Sequence, residues 1–255
     1  MKEFPKFNEP EEGKIWVAET FYSMQGEGKF IGTPAIFLRT QGCLLNCEWC
    51  DTYNVWKNGK LMTYDELIRL WKNSGWLNST YNPIHIILTG GEPLARDKEL
   101  NEFLRFFHTN YWKNEFLRLP FIEVETAGTV MPGELDCCVN QYNISPKLSN
   151  SGMSKDRRVR PDVINHFSKL SWDRDKSNTI SFKFVVNGRE DIEEAINTYI
   201  EPFTINTKNV YLMAEAATKK QLQERELSII ELAKEYGLKY STRLHLHVWD
   251  KATGV

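Results

Sequence analysis

The chain has 255 residues, of which 41% are hydrophobic and 26% charged, and its formal net charge at pH 7 is −2. This size and composition predict one soluble globular domain over residues 1–255. They argue against broad contact with nucleic acid, which needs a basic face, and the sequence contains neither an apolar run of the ~18 residues that a membrane span requires nor a secretory signal.

The predicted elements are alternating strands and helices that follow a mobile lead-in over residues 1–13. Apolar, β-prone runs predict strands at 15–22, 34–39, 84–89, 121–125, 142–145, 180–186, 210–213 and 243–249. Helical spacing predicts helices after the capping-box pattern at 63–66, around 100–107, at 191–199 and over 219–236, where Gly237 ends the helix. Residues 148–178 are polar and predict an irregular insertion with a helix near 163–170.

This alternation predicts a parallel α/β architecture. The segments that contain candidate site residues come directly after predicted strands: the cysteine-rich loop, 89–93, 126–129, 145–147 and 213–216. Loops at the carboxyl ends of parallel strands share one rim, where ligands bind. We therefore expect segments that are distant in sequence to form one pocket.

The most informative motif is a C-x3-C-x2-C pattern formed by Cys43, Cys47 and Cys50. Thiolates select zinc, copper(I) or iron–sulfur clusters. A structural zinc ion or a closed four-iron cluster wants four protein ligands, whereas this loop offers three. The spacing favours an iron–sulfur cubane with one iron open to a small molecule.

The alternative interpretation is a structural zinc loop or a set of buried thiols. Zinc loops usually add a second C-x2-C or H-x3-H pair, but Cys137 and Cys138 are adjacent, and His245 and His247 are two residues apart. The two adjacent cysteines are predicted to fill core or surface space, and one of the histidines could line the pocket. Five cysteines, three of them crowded, also point to a reducing cytoplasm.

A second motif, Thr-Gly-Gly-Glu-Pro at residues 89–93, ends a predicted strand. Its double glycine permits close approach of the backbone to a ligand, and with Glu92 it could hold an amino-acid-like ammonium group. Alone, it fits a plain strand–loop–helix turn equally well. Together with the cysteine pattern, in which the aromatic Trp49 precedes the last cysteine, it resembles the radical S-adenosylmethionine (SAM) superfamily.

That resemblance implies a modified, incomplete (β/α)6-type barrel. It also implies a [4Fe–4S] cluster on Cys43, Cys47 and Cys50, whose open iron binds SAM. In the superfamily, an electron from the reduced cluster cleaves SAM to a 5′-deoxyadenosyl radical, which abstracts a hydrogen atom. An electron donor such as flavodoxin or ferredoxin is then an expected partner.

A closer resemblance runs from about residue 15 to the C terminus. It is carried by Phe-Tyr-Ser-Met-Gln-Gly-Glu-Gly at 21–28, Gly-Thr-Pro-Ala-Ile-Phe-Leu-Arg at 32–39, Cys-Asp-Thr at 50–52, Glu-Thr-Ala-Gly-Thr at 125–129, Ser-Pro-Lys at 145–147 and the tail over 245–255. These motifs resemble the 7-carboxy-7-deazaguanine synthase family of queuosine and 7-deazapurine biosynthesis. The implied reaction converts 6-carboxy-5,6,7,8-tetrahydropterin to 7-carboxy-7-deazaguanine with loss of ammonia, in a homodimeric carbon–nitrogen lyase.

The resemblance also implies roles for the matching residues. The residues expected to contact the substrate are Met24, Gln25, Gly26, Arg39, Thr89 and the terminal carboxylate of Val255. The candidate catalytic residues are Arg39 and Glu27. SAM contacts fall to Trp49, Gly91, Glu92, Thr126, Ser145, Pro146, Lys147, Met213, Ala214, Glu215 and Ala216. Thr52 would ligate Mg²⁺ together with substrate oxygens, and Mg²⁺ and Arg39 would fix the substrate carboxylate during ring contraction.

Each role has a plainer alternative. Arg39 could form a surface salt bridge, Thr52 could cap a turn, and residues 145–147 could be an ordinary strand exit. Two departures concern the SAM contacts: Ala127 stands where family members often carry Asn, and residues 213–216 lack the expected proline or glycine.

Two rival functions follow from the same motifs. One is a glycyl-radical-enzyme activase of the same superfamily, which would bind a protein partner. The other is a non-enzymatic, metal-stabilised binding module, which predicts zinc in the purified protein and no SAM affinity.

Overall fold

A computed structural model describes residues 7–78, 84–112, 120–172, 180–252 and 254. Its strands are β1 (Lys14–Met24), β2 (Pro34–Thr40), β3 (Lys60–Thr63), β4 (His85–Gly90), β5 (Phe121–Thr126), β6 (Gln141–Ile144), β7 (Ile180–Val186), β8 (Val210–Ala214) and β9 (Lys239–Tyr240). Its α-helices are α1 (Tyr53–Trp56), α2 (Tyr64–Asn73), α3 (Asp97–Phe107), α4 (Lys155–Arg158), α5 (Pro161–Trp172), α6 (Arg189–Ala195), α7 (Lys219–Tyr236) and α8 (Leu244–Trp249).

Short helical turns complete the described elements. Turns of 3₁₀-helix lie at Gly28–Phe30, Pro93–Arg96, Glu134–Cys138, Ser149–Ser151 and Thr207–Asn209. Turns of π-helix at His108–Trp112 and Ile196–Ile200 continue α3 and α6.

The described strands form one nine-stranded sheet in the order β3-β1-β2-β4-β5-β6-β7-β8-β9. The neighbours from β2 to β9 pair in parallel, whereas β1 pairs antiparallel with both β2 and β3. The order is linear, so the described sheet is open. The expected incomplete (β/α)6-type barrel is therefore confirmed in the six strands from β2 to β8, and an antiparallel edge makes the sheet mixed.

The two faces of the sheet differ because successive side chains on a strand point to opposite sides. Ile86 and Leu88 of β4 belong to the main core, which α2, α3, α5 and α7 cover, whereas Ile87 belongs to a small cluster on the other face. That inner face also contains buried polar side chains, such as Lys183 between Phe182 and Phe184 of β7. The inner face therefore provides the polar groups that a ligand site needs.

The loop that follows β1 lies over this inner face. Gly28 donates its backbone N–H to Ser241 Oγ at 2.7 Å, and the Phe30 ring meets the rings of His85 and Phe121 edge-on at 5.4 and 5.0 Å. These contacts place the end of the Gln-Gly-Glu-Gly sequence over the inner face, and the Phe30 ring lies at the amino ends of β4 and β5.

One predicted strand is wrong. The expected closing strand over 243–249 is the helix α8, because a short run of alternating apolar and polar residues does not distinguish a strand from one and a half helical turns. Residues two apart then point roughly 200° away from each other instead of sharing a face. The short edge strands β3 and β9 were not predicted.

The segment 148–178 is more regular than expected. Through residue 172 it contains the turn Ser149–Ser151 and the helices α4 and α5, and α5 confirms the helix predicted near 163–170. α5 buries Val163, Ile164 and Phe167 and connects the parallel strands β6 and β7. The segment is therefore a normal crossover, and its last residues lie outside the described part of the chain.

The lead-in is described from residue 7 onward, and Asn8 exchanges hydrogen bonds with the body of the protein. Its N–H approaches Gln41 Oε1 at 3.4 Å, and its carbonyl accepts from Arg96 Nη1 at 2.9 Å. The expected mobility of residues 1–6 concerns residues outside the described ranges. Among the described helices, none is long and apolar enough to cross a membrane.

The capping box predicted at residues 63–66 is present at the start of α2. Thr63 Oγ1 accepts from the Glu66 N–H at 3.1 Å, and Glu66 Oε2 accepts from the Thr63 N–H at 2.8 Å. We expect Thr63→Ala to lower the free energy of unfolding by about 1 kcal/mol, whereas Thr63→Ser, which keeps the acceptor, changes it little. Chemical denaturation measures both, and equal losses in the two variants would contradict this assignment.

Candidate active site

The predicted rim is present at the carboxyl ends of the parallel strands. The cysteine loop follows β2, the double glycine ends β4, and residues 126–129, 145–147 and 214–216 follow β5, β6 and β8. The register pairs Thr40 with Gly90 and Thr126 with Ile144, so these exits lie side by side. The structure therefore brings together the main candidate segments.

The cysteines of the loop lie in a small apolar pocket that is lined by Leu45, Ala127 and Met153. Burial raises the pKa of the Cys43 thiol to about 12, and the nearby Glu92 and the other cysteines add to this effect. Such a thiol is protonated at neutral pH, so metal binding must release its proton. The pocket is thus apolar, with Cys47 buried and Cys43 and Cys50 partly exposed.

Backbone and side-chain N–H groups surround the sulfur atoms of the cysteine loop. Within the described ranges, no three His, Cys, Asp or Glu side chains are placed to hold one metal ion, and the cysteine trio is among the residues searched. Two sulfur atoms accept N–H groups, Cys43 Sγ from Leu45 N at 3.4 Å and Cys50 Sγ from Trp56 Nε1 at 3.3 Å. Hydrogen bonds to sulfur tune cluster potentials. The structure thus places the three thiols beside one apolar group of residues, as the three-ligand pattern of a [4Fe–4S] cubane requires.

The double glycine packs directly on the start of the cysteine loop. A Cβ atom on Gly91 would lie 2.2 Å from the Gly42 carbonyl oxygen and 2.4 Å from Cys43 Cβ. The Glu92 N–H donates to the same Gly42 carbonyl at 3.0 Å. Only a residue without a side chain allows this approach, which fixes the first cysteine against the exit of β4.

Glu92 joins the exits of β4 and β5 through its buried carboxylate. It accepts from Thr126 Oγ1 at 2.7 Å, from Ala127 N at 3.0 Å and from Leu94 N at 3.2 Å. Burial raises its pKa, although these three donors oppose the shift. Both carboxylate oxygens are engaged within the protein, so a contact of Glu92 with SAM would involve its backbone.

Trp49, Ser145 and Lys147, which were expected to contact SAM, lie together. Lys147 Nζ donates to Ser145 Oγ at 3.0 Å and lies 5.3 Å from the centre of the Trp49 ring. The Trp49 indole N–H donates to Asn150 Oδ1 at 3.3 Å. The cysteine loop is thereby attached to the exit of β6.

The start of segment 148–178 supports the cysteine loop from outside. The Glu48 N–H donates to the Ser151 carbonyl at 3.0 Å, and Arg157 Nη2 donates to the Leu44 carbonyl at 2.7 Å. This crossover therefore fixes the backbone between the cysteines, a role that its polar sequence did not reveal.

Glu125 forms hydrogen bonds with two of the residues expected to contact the substrate. Its carboxylate accepts from Thr89 Oγ1 at 2.9 Å and from Gln25 Nε2 at 3.2 Å, and Gln25 is only 1% exposed. Arg39 donates from Nε to Glu19 at 2.8 Å, and its Nη1 lies 3.5 Å from the Gly90 carbonyl. Its side chain is 13% exposed, so this is not the surface salt bridge considered as an alternative.

Glu27 lies in a buried group of charges. Its two oxygens accept from Lys183 Nζ and, at 3.0 Å, from Arg243 Nε. Burial alone would raise the pKa of Glu27, but Lys183 and Arg243 lower it well below its usual range. Desolvation would raise the pKa of Asp51, whose side chain is 39% exposed, but Arg243 lowers it. Both carboxyl groups are therefore ionised at neutral pH.

The two histidines near the C terminus point in different directions, as their places on a helix require. A Cβ on Gly26 would lie 2.5 Å from His245 Nδ1, so this ring packs against the Gln-Gly-Glu-Gly sequence. Burial lowers its pKa, which favours the neutral ring. His247 instead contacts Thr242 Oγ1 at 2.9 Å and Glu226 Oε1 at 3.3 Å.

Several known proteins resemble this chain in sequence. A family model described as a 4Fe-4S single cluster domain matches residues 24–120. The chain is 32% identical over 252 residues to the 7-carboxy-7-deazaguanine synthase of Halobacterium salinarum, covering 92% of this chain and 91% of that protein. It is also 32% identical over 244 residues to the enzyme of the same name from Pyrobaculum aerophilum, covering 94% and 97%.

The chain belongs to the 7-carboxy-7-deazaguanine synthase family. It is accordingly a radical SAM lyase that uses a [4Fe–4S] cluster and SAM.

Solved structures show the same fold. QueE from Escherichia coli aligns with a TM-score of 0.62 at 24% identity, over 91% of this chain and 95% of that one. Native anSMEcpe with bound AdoMet and Cp18Cys peptide aligns with a TM-score of 0.52 at 13% identity, over 80% and 60%. The expected radical SAM architecture is therefore confirmed.

The remaining residues expected from the family resemblance differ in their burial and in their hydrogen-bond partners. Met213, Ala214 and Ala216 are buried at the exit of β8, and Glu215 binds Asn187 and Arg225 there. The Thr52 side chain does not cap α1, and its Oγ1 lies 3.8 Å from Cys50 Sγ. Val255 lies outside the described residues.

Cys137 and Cys138 are not part of the candidate cluster site. They lie in the turn Glu134–Cys138 before β6, at the opposite end of the strand from residues 145–147. Their sulfur atoms are 3.5 Å apart, Cys137 is exposed, and Cys138 packs against the main core. This agrees with the space-filling role predicted for them.

Three charged residues of the site were not assigned from the sequence: Glu125, Lys183 and Arg243. Lys183 carried a usable signal, since it interrupts the apolar run of β7. Glu125 stood in a family-like motif without a role. Arg243 was hidden because the segment that it begins was predicted as a strand.

The contact between Gly91 and the cysteine loop gives a test by substitution. We expect Gly91→Ala to displace Cys43, to cost about 1–3 kcal/mol of stability through overpacking, and to lower the iron content after anaerobic reconstitution. Gly188→Ala is the matched control, because a Cβ there meets nothing within 4 Å. Iron and sulfide analysis measures the effect, and equal cluster content in both variants would show that the contact is not needed.

Proposed function

We propose that this chain converts 6-carboxy-5,6,7,8-tetrahydropterin to 7-carboxy-7-deazaguanine with loss of ammonia. The observation that carries the proposal is that the cysteine pocket and the polar array of Gln25, Thr89 and Glu125 lie on one rim. The relatives at 32% identity are named for this synthase activity, which favours it over a glycyl-radical activase. The apolar three-cysteine pocket favours a cluster over a zinc-stabilised binding module.

Cys43, Cys47 and Cys50 would hold the cluster, and Trp49, Ser145, Pro146 and Lys147 would line the SAM site from the exit of β6. The backbone of Gly91 and Glu92, Thr126 and residues 213–216 would complete that site from β4, β5 and β8. When bound, the cluster and SAM supply a 5′-deoxyadenosyl radical that removes a hydrogen atom from the substrate. The apolar residues beside the cysteines would limit the access of water to the bound cluster.

Arg39 would bind the substrate carboxylate. Its Nε is already fixed by Glu19, which aims the planar guanidinium toward the exit of β4. A carboxylate would offer Nη1 and Nη2 two acceptors in the geometry that a guanidinium matches best. Fixing the carboxylate also fixes the neighbouring carbon, from which the hydrogen is removed.

The pterin ring would lie against Met24, Gln25 and Gly26, with Thr89 beside it. Glu125 already orients Gln25 and Thr89, and its carboxylate has further lone pairs that can accept pterin N–H groups. Glu27 is held ionised by Lys183 and Arg243, so we assign it a fixed charge instead of a proton-transfer role.

Thr52 would provide one hydroxyl ligand to Mg²⁺, and substrate oxygens and water would provide the others. Its hydroxyl is not used to cap α1, which supports this role over the capping alternative. Mg²⁺ commonly keeps few protein ligands in active sites. A reach of the Val255 carboxylate to the pterin, a homodimer, a flavodoxin or ferredoxin donor and a cytoplasmic location also remain proposals.

The substrate assignment is tested by an anaerobic assay with SAM, Mg²⁺, a reductant and the pterin. We expect 7-carboxy-7-deazaguanine and 5′-deoxyadenosine as products, identified by mass spectrometry. Cleavage of SAM without formation of a deazaguanine would show that the family's cofactor chemistry is present but that the substrate is different.

The role of Arg39 is tested by Arg39→Lys, which keeps the charge but loses the paired donors. A charge-assisted hydrogen bond contributes about 1.5–3 kcal/mol, so we expect KM for the pterin to rise about tenfold to a hundredfold. Arg69→Lys, at an exposed ion pair with Asp65, is the matched control. An unchanged KM in Arg39→Lys would exclude the carboxylate contact.

A further inference from the structure

Arg243 donates from each of its three nitrogen atoms to a different segment of the chain. Nε donates to Glu27 Oε1 at 3.0 Å, Nη2 donates to Asp51 Oδ2, and Nη1 donates to the Ala216 carbonyl. The Arg243 side chain is only 12% exposed. One buried guanidinium therefore joins three parts of the chain that are far apart in sequence.

The three acceptors belong to three parts of the candidate site. Glu27 lies in the sequence expected to contact the pterin, Asp51 directly follows the cluster ligand Cys50, and Ala216 ends the β8 segment assigned to SAM. Substrate, cluster and SAM segments thus meet at one side chain, which itself belongs to none of the motifs that identified the site.

The charges at this junction balance. Lys183 of β7 binds the second oxygen of Glu27, so two cations face the two carboxylates Glu27 and Asp51. A lysine at position 243 would conserve the charge, but its single ammonium group lacks the planar set of donors that spans three separate acceptors. The geometry of arginine, and not its charge alone, is what this position uses.

The junction also anchors the C-terminal helix. Arg243 directly precedes α8, whose first residue Leu244 donates its N–H to the Gly26 carbonyl at 2.9 Å. His245 then packs against Gly26, and its ring fits there because Gly26 has no side chain. Docking of α8 and formation of the Arg243 contacts are therefore parts of one arrangement.

We propose that Arg243 is a positioning residue that couples the substrate segment to the SAM and cluster segments, so that docking of α8 sets the distance between pterin and SAM. The identity of the two ligands rests on the proposed function, whereas the coupling of the three segments does not. Hydrogen abstraction depends strongly on distance, and a displacement of about 1 Å can cost on the order of a hundredfold in rate.

The first experiment measures backbone hydrogen exchange in the anaerobically reconstituted holoenzyme without substrate. In Arg243→Lys we expect faster exchange in all three segments together, that is, in residues 25–30, 43–52 and 214–217. The matched control is Arg189→Lys, because Arg189 also pairs with a carboxylate, Glu235, at 2.7 and 2.6 Å but is exposed. This control should alter exchange only near the start of α6 and the end of α7, which this pair joins.

A second variant guards against failure of Arg243→Lys to fold. Asp51→Asn removes one charged acceptor, so it should accelerate exchange mainly in residues 43–52 and more weakly in 25–30. Transmission from Asp51 to residues 25–30 requires Arg243 as the connection, because Glu27 and Asp51 each bind the same guanidinium.

The second experiment measures how many SAM molecules are cleaved per product formed. With equal iron content, Arg243→Lys should lower kcat on the order of a hundredfold and raise the ratio of 5′-deoxyadenosine to deazaguanine. A purely structural role would lower both products together and leave this ratio unchanged.

The outcomes separate the two proposals. If the unmodified enzyme forms deazaguanine and Arg243→Lys matches it in exchange and product ratio, the coupling is wrong and the proposed function stands. If the unmodified enzyme forms no deazaguanine but the three segments exchange faster together in Arg243→Lys, the proposed function is wrong and the coupling stands. If Arg243→Lys does not fold and Asp51→Asn affects only residues 43–52, the coupling is wrong.

Discussion

The contact between the exit of β4 and the start of the cysteine loop is the constraint on which the rest of the site depends. Gly91 lies so close to Gly42 and Cys43 that no side chain fits between them, and Glu92 then extends the same contact to Thr126 and Ala127. Two neighbouring strands are thereby joined to the loop that would hold the cluster. Because these contacts are short and mostly involve the backbone, they set the position of the first cysteine independently of side-chain rotamers.

The side of the site that is proposed to bind the substrate is organised by charge instead of close packing. Removing a carboxylate from water costs several kcal/mol, which a buried ion pair offsets only when its geometry is good and its other oxygens are hydrogen-bonded. Glu27 meets both conditions, since each of its oxygens has a cationic donor. The same arrangement makes the junction sensitive, because loss of either cation leaves one oxygen of Glu27 without its donor. Rigid backbone contacts on one side and balanced charges on the other thus hold the two halves of the site.

Much of the fold could be predicted because its strands are continuous apolar runs and its long helices have clear caps. The bounds of β7 and α7 agree with the runs at 180–186 and 219–236, and Gly237 adopts the left-handed conformation that ends α7. The rim followed from the rule that parallel strands share their carboxyl ends. The cysteine loop was recognisable because its ligands are close in sequence.

The charged junction around Arg243 was not predictable, because its residues are far apart in sequence. Arg243 lies 216 positions from Glu27 and 192 from Asp51, and nothing in the local sequence of any of the three indicates the other two. The error at 243–249 had a similar origin, because six residues are too few for a period to distinguish helix from strand. Local patterns identify elements and compact motifs, whereas contacts between segments depend on the whole sheet being formed.

The position of Arg243 in the chain has a consequence for biosynthesis. All the described strands precede Arg243 in sequence, and so do the three segments that Arg243 joins. A ribosome makes the N-terminal parts first, so the sheet and the cysteine pocket can assemble on a nascent chain while the guanidinium that aligns them is still absent. If Arg243 aligns these segments as proposed, the order of translation delays a competent centre until α8 has been made.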